Sequence, residues 1–455
     1  MTFPAYPGYR DSGVEWLGAV PSYWESWKIS HAFGELGSGT TPPTSEAEWY
    51  EDGTVPWVTT GELREGVIWE TKKLLSSTVL SAFSALRLHP AGSLAIAMYG
   101  ATIGRLGILG VDATTNQACC LLTRPKHLHV KFTFYWLLVF KQSIIDLYAS
   151  GGGQPNINQE IIANLKVPAP GIPEQTQIAR FLDHETARIG ALIEEQQRLI
   201  ELLKEKRQAV ISQVVTKGLD PTVPMKDSGV EWLGEVPAHW ERKRLKNISP
   251  FITVGIVVNP SDYVAEEGLP FIYGGEVKEG LIEVDKARKI SLQDSLRNRK
   301  TMLEAGDIVT MRVGYPGLTA VVPPECEGGN CASVMLVKRG GFDSRWLCAV
   351  MNSRLVRQQV EVVQYGAAQK QFNIADAIEF WMFKPPLNEQ ATIAEFVEEQ
   401  SSIFDDLTAE SENSMVLLQE RRSALISAAV TGKIDVRGWQ PPASAPTPEL
   451  AQEAV

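Results

Sequence analysis

Two stretches of this 455-residue chain, 173 to 217 and 388 to 433, follow one plan, and that plan leaves room for few folds. In the first, Ile178, Leu182, Ile189, Leu192, Leu199, Leu203 and Val210 fall on a three-four beat. That spacing lays a stripe along one face of a long helix made to pack on another helix. About 215 residues later N-E-Q-A-T-I-A-E-F-V opens a second copy, with Ile393, Val397, Phe404, Leu407, Leu418 and Leu425 in the matching slots. The polar interruptions coincide as well: Glu185, Gln196 and Lys206 answer to Gln400, Ser411 and Arg421.

The duplication extends beyond the helices. D-S-G-V-E-W-L-G occupies 11 to 18 and again 227 to 234, followed by Pro21 and Trp24 in one half and by Pro237 and Trp240 in the other. P-W-V-T-T-G-E-L-R-E-G-V-I, from Pro56, matches P-F-I-Y-G-G-E-V-K-E-G-L-I, from Pro270, and both alternate as a strand and then turn at Glu-Gly. A-G-S-L-A-I-A-M-Y-G, from Ala91, matches A-G-D-I-V-T-M-R-V-G, from Ala305, a strand entered through a glycine turn; Asn116-Gln117-Ala118 matches Asn330-Cys331-Ala332 before a further apolar strand. Helices are expected over 131 to 149 and 344 to 364, each followed by a glycine and amide loop, G-G-G-Q-P-N-I-N at 151 to 158 and G-A-A-Q-K-Q-F-N at 366 to 373. V-P-A-P-G-I-P and K-P-P-L then break the chain before each long helix.

The expected organisation is α+β. Mixed α/β domains at 11–170 and 227–386 are joined by helical regions at 171–219 and 387–436, and a tail at 437–455 has the composition of disorder. Each long helix, some 40 residues, spans roughly 60 Å at 1.5 Å per residue. Since a whole domain lies between them, the two helices should pack as an antiparallel coiled coil, giving an internal pseudo-two-fold repeat. Gly190 inside the first costs about 1 kcal/mol against alanine and invites a kink or a local weakness.

The net charge of −11 would argue against a nucleic-acid partner if it were evenly spread. It is not: residues 388 to 455 alone hold 4 basic against 12 acidic residues. The five cysteines form no C-x-x-C pair and no disulfide framework, in keeping with a reducing cytoplasm. The first residues carry no signal-peptide pattern and no apolar run reaches the roughly 18 residues of a membrane span, so no membrane partner is expected.

Catalytic patterns are missing. Thr431-Gly432-Lys433 lacks the upstream glycine of a P-loop and ends a helix, H-E-x-x-H does not occur, and neither does the [DNS]-P-P-[FYW] tetrapeptide of amino-methyltransferases. A nuclease-like Glu-x-Lys at Glu276 to Lys278 has only Glu62 to Arg64 in the other half. Two equivalent domains held by a spacer, without a catalytic set or a metal cluster, suit a long two-fold ligand such as duplex DNA, whose half-sites lie a turn of about 34 Å or more apart. A coiled-coil scaffold for two protein-binding domains and a stand-alone DNA-modifying enzyme remain the alternatives.

P-A-P-G-I-P-E-Q-T-Q-I-A-R-F-L with L-I-E-L-L-K-E-K-R-Q-A-V-I, its second copy, the paired D-S-G-V-E-W-L-G openings, T-T-G-E-L and Y-G-A-T-I-G-R together resemble the DNA specificity subunit of type I restriction-modification systems, over residues 11 to 436. The resemblance implies two target recognition domains, each reading one half of a bipartite asymmetric site, with the helices as a ruler for the spacer. It also implies a chain without catalytic activity, assembled with two modification (methyltransferase) subunits and with restriction subunits that translocate DNA. S-adenosylmethionine, ATP and Mg would belong to those partners. One departure is that the second half has no equivalent of Gly37 to Thr41.

Base readout calls for Arg, Lys, Asn or Gln aimed at base edges, with small polar and basic groups on phosphates. The amide loops offer Gln154, Asn156 and Asn158, then Gln369, Lys370, Gln371 and Asn373; the matching glycine loops offer Thr102 with Arg105 and Arg312 with Tyr315, and T-T-G-E-L adds Thr60. The alternative for each loop is a turn whose amides satisfy local backbone. Arg242, Lys243, Arg244 and Lys246, or Arg297, Arg299 and Lys300, are further phosphate candidates, with a solvated face as the alternative.

Overall fold

The computed structural model describes residues 3–149, 155–367 and 369–442. Two compact units emerge, Met1–Glu195 with Ser414–Val455, and Gln196–Asn413.

In the first unit, β1 (Phe33–Ser38), β2 (Val55–Val58), β3 (Gly66–Ile68), β4 (Leu94–Ala97), β5 (Leu106–Leu109) and β6 (Cys119–Pro125) supply the main strands. Five of them form one sheet in the order β1-β6-β4-β5-β3. All its contacts are antiparallel except β3 with β5, where Gly66 stands opposite Gly107. The Glu-Gly turn is entered at Glu65, φ 56°, and the glycine turn before β4 has Gly92 at φ 83°. Helix α1 (Val130–Tyr148) is apolar nearly all round and is buried through Phe132 and Trp136 in a core shared with Trp24, Phe33 and Leu122. The short α2 (Gln159–Asn164) leads into Lys166–Ala169, which pairs antiparallel with Glu25–Lys28.

Helix α3 (Ile172–Lys217) continues through Gly190, where an added methyl would meet nothing. It stops at Gly218, left-handed at φ 75°, a common helix C-terminus.

The second unit repeats the scheme with β7 (Ile252–Val254), β8 (Leu269–Ile272), β9 (Ile308–Thr310), β10 (Thr319–Val321), β11 (Asn330–Cys331) and β12 (Met335–Val337). Its four-stranded sheet runs β7-β12-β9-β10, and β8 pairs in parallel with β11. The single helix expected over 344 to 364 is two, α4 (Ser344–Asn352) and α5 (Arg354–Val363), because Ser353 is extended at ψ 162° and its hydroxyl donates to Val350 O. Trp240 and Trp346 are fully buried in this unit's core. Helix α6 (Leu387–Val430) closes the chain's regular structure, and Gly432 at φ 68° ends it as Gly218 ends α3.

In the first unit the start of α3, at Ile178, Phe181 and Leu182, packs on the end of α6, at Ile426, Ala429 and Val430. In the second, the end of α3, at Ile211, Val214 and Val215, packs on the start of α6, at Ile393 and Ala394, and Arg207 lies 3.8 Å from Asp405. The helix segments within each unit are therefore antiparallel. The buried stripe has a longer period than the heptad read from sequence. Ile178, Ile189, Ile200 and Ile211 recur every eleven residues, as do Ile393, Phe404, Met415 and Ile426, and all eight are buried or half-buried. Eleven residues make three turns at about 3.67 each, so a strict heptad drifts off this stripe. Leu192, Leu199 and Leu407 accordingly face solvent, while Ile193 and Ile200 turn inward and Leu203, Val210, Val397, Leu418 and Leu425 sit half-buried. The polar row has the same period: Glu185, Gln196 and Arg207 on α3, Gln400, Ser411 and Arg422 on α6, so Arg207 and Arg422 replace Lys206 and Arg421 at the seam.

The tail expected to begin at residue 437 is ordered in its first residues. Trp439 packs 5.3 Å from the Phe181 ring, and its carbonyl accepts from Gln177 Nε2 at 2.6 Å. An aromatic side chain with an apolar helix end beside it outweighs the polar composition that follows. Residues 443–455 lie outside the described residues.

Candidate nucleic-acid interface

Beyond β4 the backbone turns through a short 3-10 segment, Gly100–Thr102, with Gly100 at φ 78° and Gly104 at φ 74°, and returns as β5. Such backbone suits glycine and lets the loop stay tight. Alongside it lies the end of the glycine and amide loop: Ile157 N donates to Met98 O at 2.8 Å, and Tyr99 bridges Asn156. Met98 N donates to Ala118 O, and Asn116 N to Val58 O, which draws the 116–118 turn and the Thr59–Glu62 turn to the same edge. Arg105 is exposed there with no acidic partner among the described residues; Thr102 and Thr60 are half-buried. Asn156 is exposed, and Gln154 lies outside the described residues. Asn158 has a structural task, its side chain accepting from Ile161 N at 2.8 Å to cap α2.

The second unit builds the same surface from different residues. After β9, Arg312 to Gly317 forms a loop with Gly314 at φ 91° and Gly317 at φ 97°. The amide loop docks on it: Gly314 N donates to Lys370 O at 3.0 Å, Arg312 Nε to Phe372 O at 3.2 Å, and Val313 bridges Gln371. Tyr365 and Gln371 exchange backbone hydrogen bonds at 2.8 and 2.9 Å, closing a turn that needs Gly366, since a Cβ there would stand 2.2 Å from Gln369 O. Gln369 and Lys370 point into solvent, Tyr315 is 75% exposed, and Asn373 Oδ1 accepts from Tyr365 Oη at 2.9 Å. The loops read as separate candidates from sequence thus form one surface in each unit.

Sequence reasoning passed over several residues on these surfaces. Tyr99 and Tyr365 are 38% and 44% exposed beside the loop glycines, an aromatic-glycine pairing visible in Y-G-A-T and Y-G-A-A. Gln117 accepts from Thr41 Oγ1 at 2.7 Å, joining the G-S-G-T-T segment to the first surface. At the corresponding strand end in the second unit the exposed residues are Val257 and Val258.

Other candidates are spent within the chain. Arg244 and Lys246 both pair with Glu379, whose carboxyl the Lys246 hydrogen bond holds below the usual carboxylate range. Lys243 pairs with Glu241, Arg297 with Asp294, and the Arg242 guanidinium lies 4.4 Å over the Trp381 ring. The Glu-x-Lys pattern has a backbone role: Glu62 accepts from Thr59 N at 2.6 Å and Lys72 N at 2.7 Å, and Glu276 from Tyr273 N at 2.7 Å. Burial pushes the thiols of Cys119 and Cys120 up to about 12, which removes them as nucleophiles at neutral pH.

A mixed domain built twice, each copy on antiparallel helix segments and each presenting paired glycine loops with cationic, amide and aromatic side chains, defines a duplicated recognition chain rather than one with a single central cleft. Residues 21–202 match the family model described as the type I restriction modification DNA specificity domain. Over those residues the chain carries a domain of that family, and the curated proteins it is similar to over most of its length are specificity subunits of type I restriction enzymes. It is 23% identical over 426 residues to the type I restriction enzyme MjaVIII specificity subunit of Methanocaldococcus jannaschii, covering 92% of this chain and 94% of that one. Its identity to the EcoBI specificity subunit of Escherichia coli is also 23%, over 342 residues, with 72% and 70% covered. Among solved structures, a chain from work on the complex assembly and conformational transition of a type I R-M system superposes with a TM-score of 0.71 at 16% identity, covering 91% of this chain and 99% of that one. The HsdS subunit of Thermoanaerobacter tengcongensis gives 0.53 at 15% identity, with 91% and 98% covered. These two share the fold.

Proposed function

We propose that this chain is the sequence-reading subunit of a type I restriction-modification complex. Residues 11–170 and 227–386 act as target recognition domains, each reading one half of a bipartite asymmetric DNA site. The helical regions 171–219 and 387–436 set the spacer and hold two modification subunits. The chain itself carries out no chemistry: methyl transfer with S-adenosylmethionine, and ATP-dependent translocation with Mg, fall to modification and restriction partners, and the complex works in the cytoplasm.

The observation that carries this reading is the merging of the two loop systems. In each unit a glycine-framed loop, 98–105 or 311–317, is hydrogen-bonded to an amide loop, 156–158 or 369–373. Backbone that is locally fixed, with Arg105, Arg312, Lys370 and the amides around it, gives the preorganised donors that major-groove readout requires. The two surfaces differ in composition, as two different half-sites demand.

Methylome sequencing of cells carrying this chain and its modification partner tests the reading. A methylated, two-part, asymmetric motif is the expected result. Methylation or cleavage by the purified chain alone would instead establish an enzyme, and the absence of sequence-selective, salt-dependent binding by the complex would leave only a scaffold.

A further inference from the structure

Two contacts made in both copies of the repeat fix which residues correspond. His129 N donates to Gln175 Oε1 at 2.7 Å as Asp343 N donates to Gln390 Oε1 at 3.0 Å, and Lys131 pairs with Asp183 at 2.6 Å as Arg345 pairs with Glu398 at 3.0 Å. Helix α1 therefore meets α3 in the first unit in the register in which α4 meets α6 in the second. In that register Tyr135 answers to Ala349.

Tyr135 is buried, and its Oη donates to Asp183 Oδ1 at 2.9 Å and lies 3.3 Å from Thr186 Oγ1. Burial holds this phenol well above the ordinary tyrosine value, so it keeps its proton and acts as the donor. The counterparts of Asp183 and Thr186 are Glu398 and Ser401, and Arg207 holds on α3 the place that Arg422 holds on α6. Glu398, Ser401 and Arg207 all line a cavity of about 770 Å³ with Ala349, Val397 and Ile211 among its apolar walls. That volume lies in the range of small-molecule sites and exceeds a single ring.

The polar groups that hold the tyrosine in one copy persist around the alanine in the other. Lys131 takes Asp183 Oδ2 and leaves Oδ1 to Tyr135; Arg345 takes Glu398 Oε2, and Oε1 accepts from no described residue. Arg207 Nε is buried without an acceptor among the described residues, its guanidinium reaching only Asp405 at 3.8 Å. A buried donor in that condition is unfavourable, and an incoming oxygen relieves it. Carboxylates outnumber cations in the wall, with Glu279, Glu398, Asp405 and Asp406 against Arg207 and Arg345. That balance repels a carboxylate or phosphate and suits a neutral hydroxyl.

We infer that the second unit binds a small neutral hydroxyaromatic molecule in this cavity, its ring against Ala349 and Val397 and its hydroxyl donating to Glu398 and accepting from Arg207 Nε. Seated there it ties α4 to α6 as Tyr135 ties α1 to α3. The site is independent of the DNA reading proposed above.

The test uses the full chain and 4-methylphenol, the tyrosine side chain as a free molecule, followed by saturation-transfer difference NMR with toluene as the probe lacking a hydroxyl. Wild type is expected to give a saturable signal with 4-methylphenol, several-fold stronger than with toluene. Ala349→Tyr supplies the ring from the chain itself and should abolish the signal. Glu398 is on the surface, its side chain 55% exposed, so Glu398→Ala should fold and bring 4-methylphenol down to the level of toluene; it decides the matter if Ala349→Tyr does not fold. No saturable signal from wild type, equal signals from the two probes, or a wild-type signal in Glu398→Ala overturns the site, as does one in a folded Ala349→Tyr.

Discussion

Arg312 is anchored before any ligand arrives, since its Nε donates to Phe372 O and its own carbonyl accepts from Phe372 N. A guanidinium fixed at one nitrogen loses little freedom when its others meet a base edge. Arg312→Ala is expected to weaken binding to the cognate duplex by about 1–3 kcal/mol and to relax one position of the motif, as seen by fluorescence anisotropy and methylome sequencing. Asn158 marks the contrast. As the cap of α2 it should cost about 1 kcal/mol in thermal stability when changed to alanine, with the methylated motif unchanged. A third residue-scale expectation concerns acid. Burial lowers both His89 and His129 below the ordinary histidine value, with Lys131 adding to the effect at His129. The unfolded chain then binds protons first, so the stability these residues contribute is full above about pH 6.5 and falls as pH drops through their folded values. His89→Gln should flatten the fall of thermal midpoint between pH 7 and 5; an unaltered slope would show that the carboxylates control it. Arg, Lys, Asn and Gln stand out as candidate readers by chemical type alone. Asn158 was not separable from Asn156 without knowing which one faces a helix N-terminus.

At the scale of elements, α3 and α6 are held at their starts by two buried amides. Gln175 donates from Nε2 to His127 O and Pro170 O and accepts from His129 N, while Gln390 donates to Pro385 O and accepts from Asp343 N. Both are fully buried and stand at the same position of the repeat, in P-E-Q and N-E-Q. Replacing either by leucine leaves backbone groups unpaired, an expected loss of about 1–3 kcal/mol measurable by denaturant unfolding. Gly190→Ala should do the opposite, adding about 0.5–1 kcal/mol, because a methyl meets nothing at that point of the helix. The eleven-residue spacing sets a further expectation. Inserting eleven residues into each long helix keeps the buried stripe in phase, whereas seven rotates it by roughly 30° and should lower the thermal midpoint more. The helices themselves were legible from apolar rhythm. Their period was not, because Leu192 and Leu199 satisfy a heptad on paper, and only packing shows that Ile193 and Ile200 face inward.

For the whole molecule the duplication is the governing fact. Two domains that share strands, glycine turns and buried tryptophans, yet differ in their loops, predict separable reading. Exchanging residues 227–386 for those of a relative should change one half of the methylated motif and leave the other untouched, and a change in both halves would argue against independent readers. The acidity of the last 68 residues, counting 388 to 455, falls largely on α6 and is spread around it; Glu389 caps the Trp240 indole, Glu398 pairs with Arg345, and Asp405 lies beside Arg207. Net charge therefore says little about the candidate interface loops, which lie on other segments.

Repeats, apolar rhythm, glycines and prolines act through neighbours a few residues away, so from the sequence alone came the two long helices, the doubled α+β plan, the loops rich in amides and the family resemblance. Tertiary structure alone decided which loops lie side by side, which cations are already neutralised, where the helix stripe drifts from the heptad, and that Trp439 is tied to α3. Each of these depends on contacts between residues tens to hundreds of positions apart, where a hydrogen bond at 3 Å or a buried ring is chosen by the folded backbone and leaves no periodic trace in the chain.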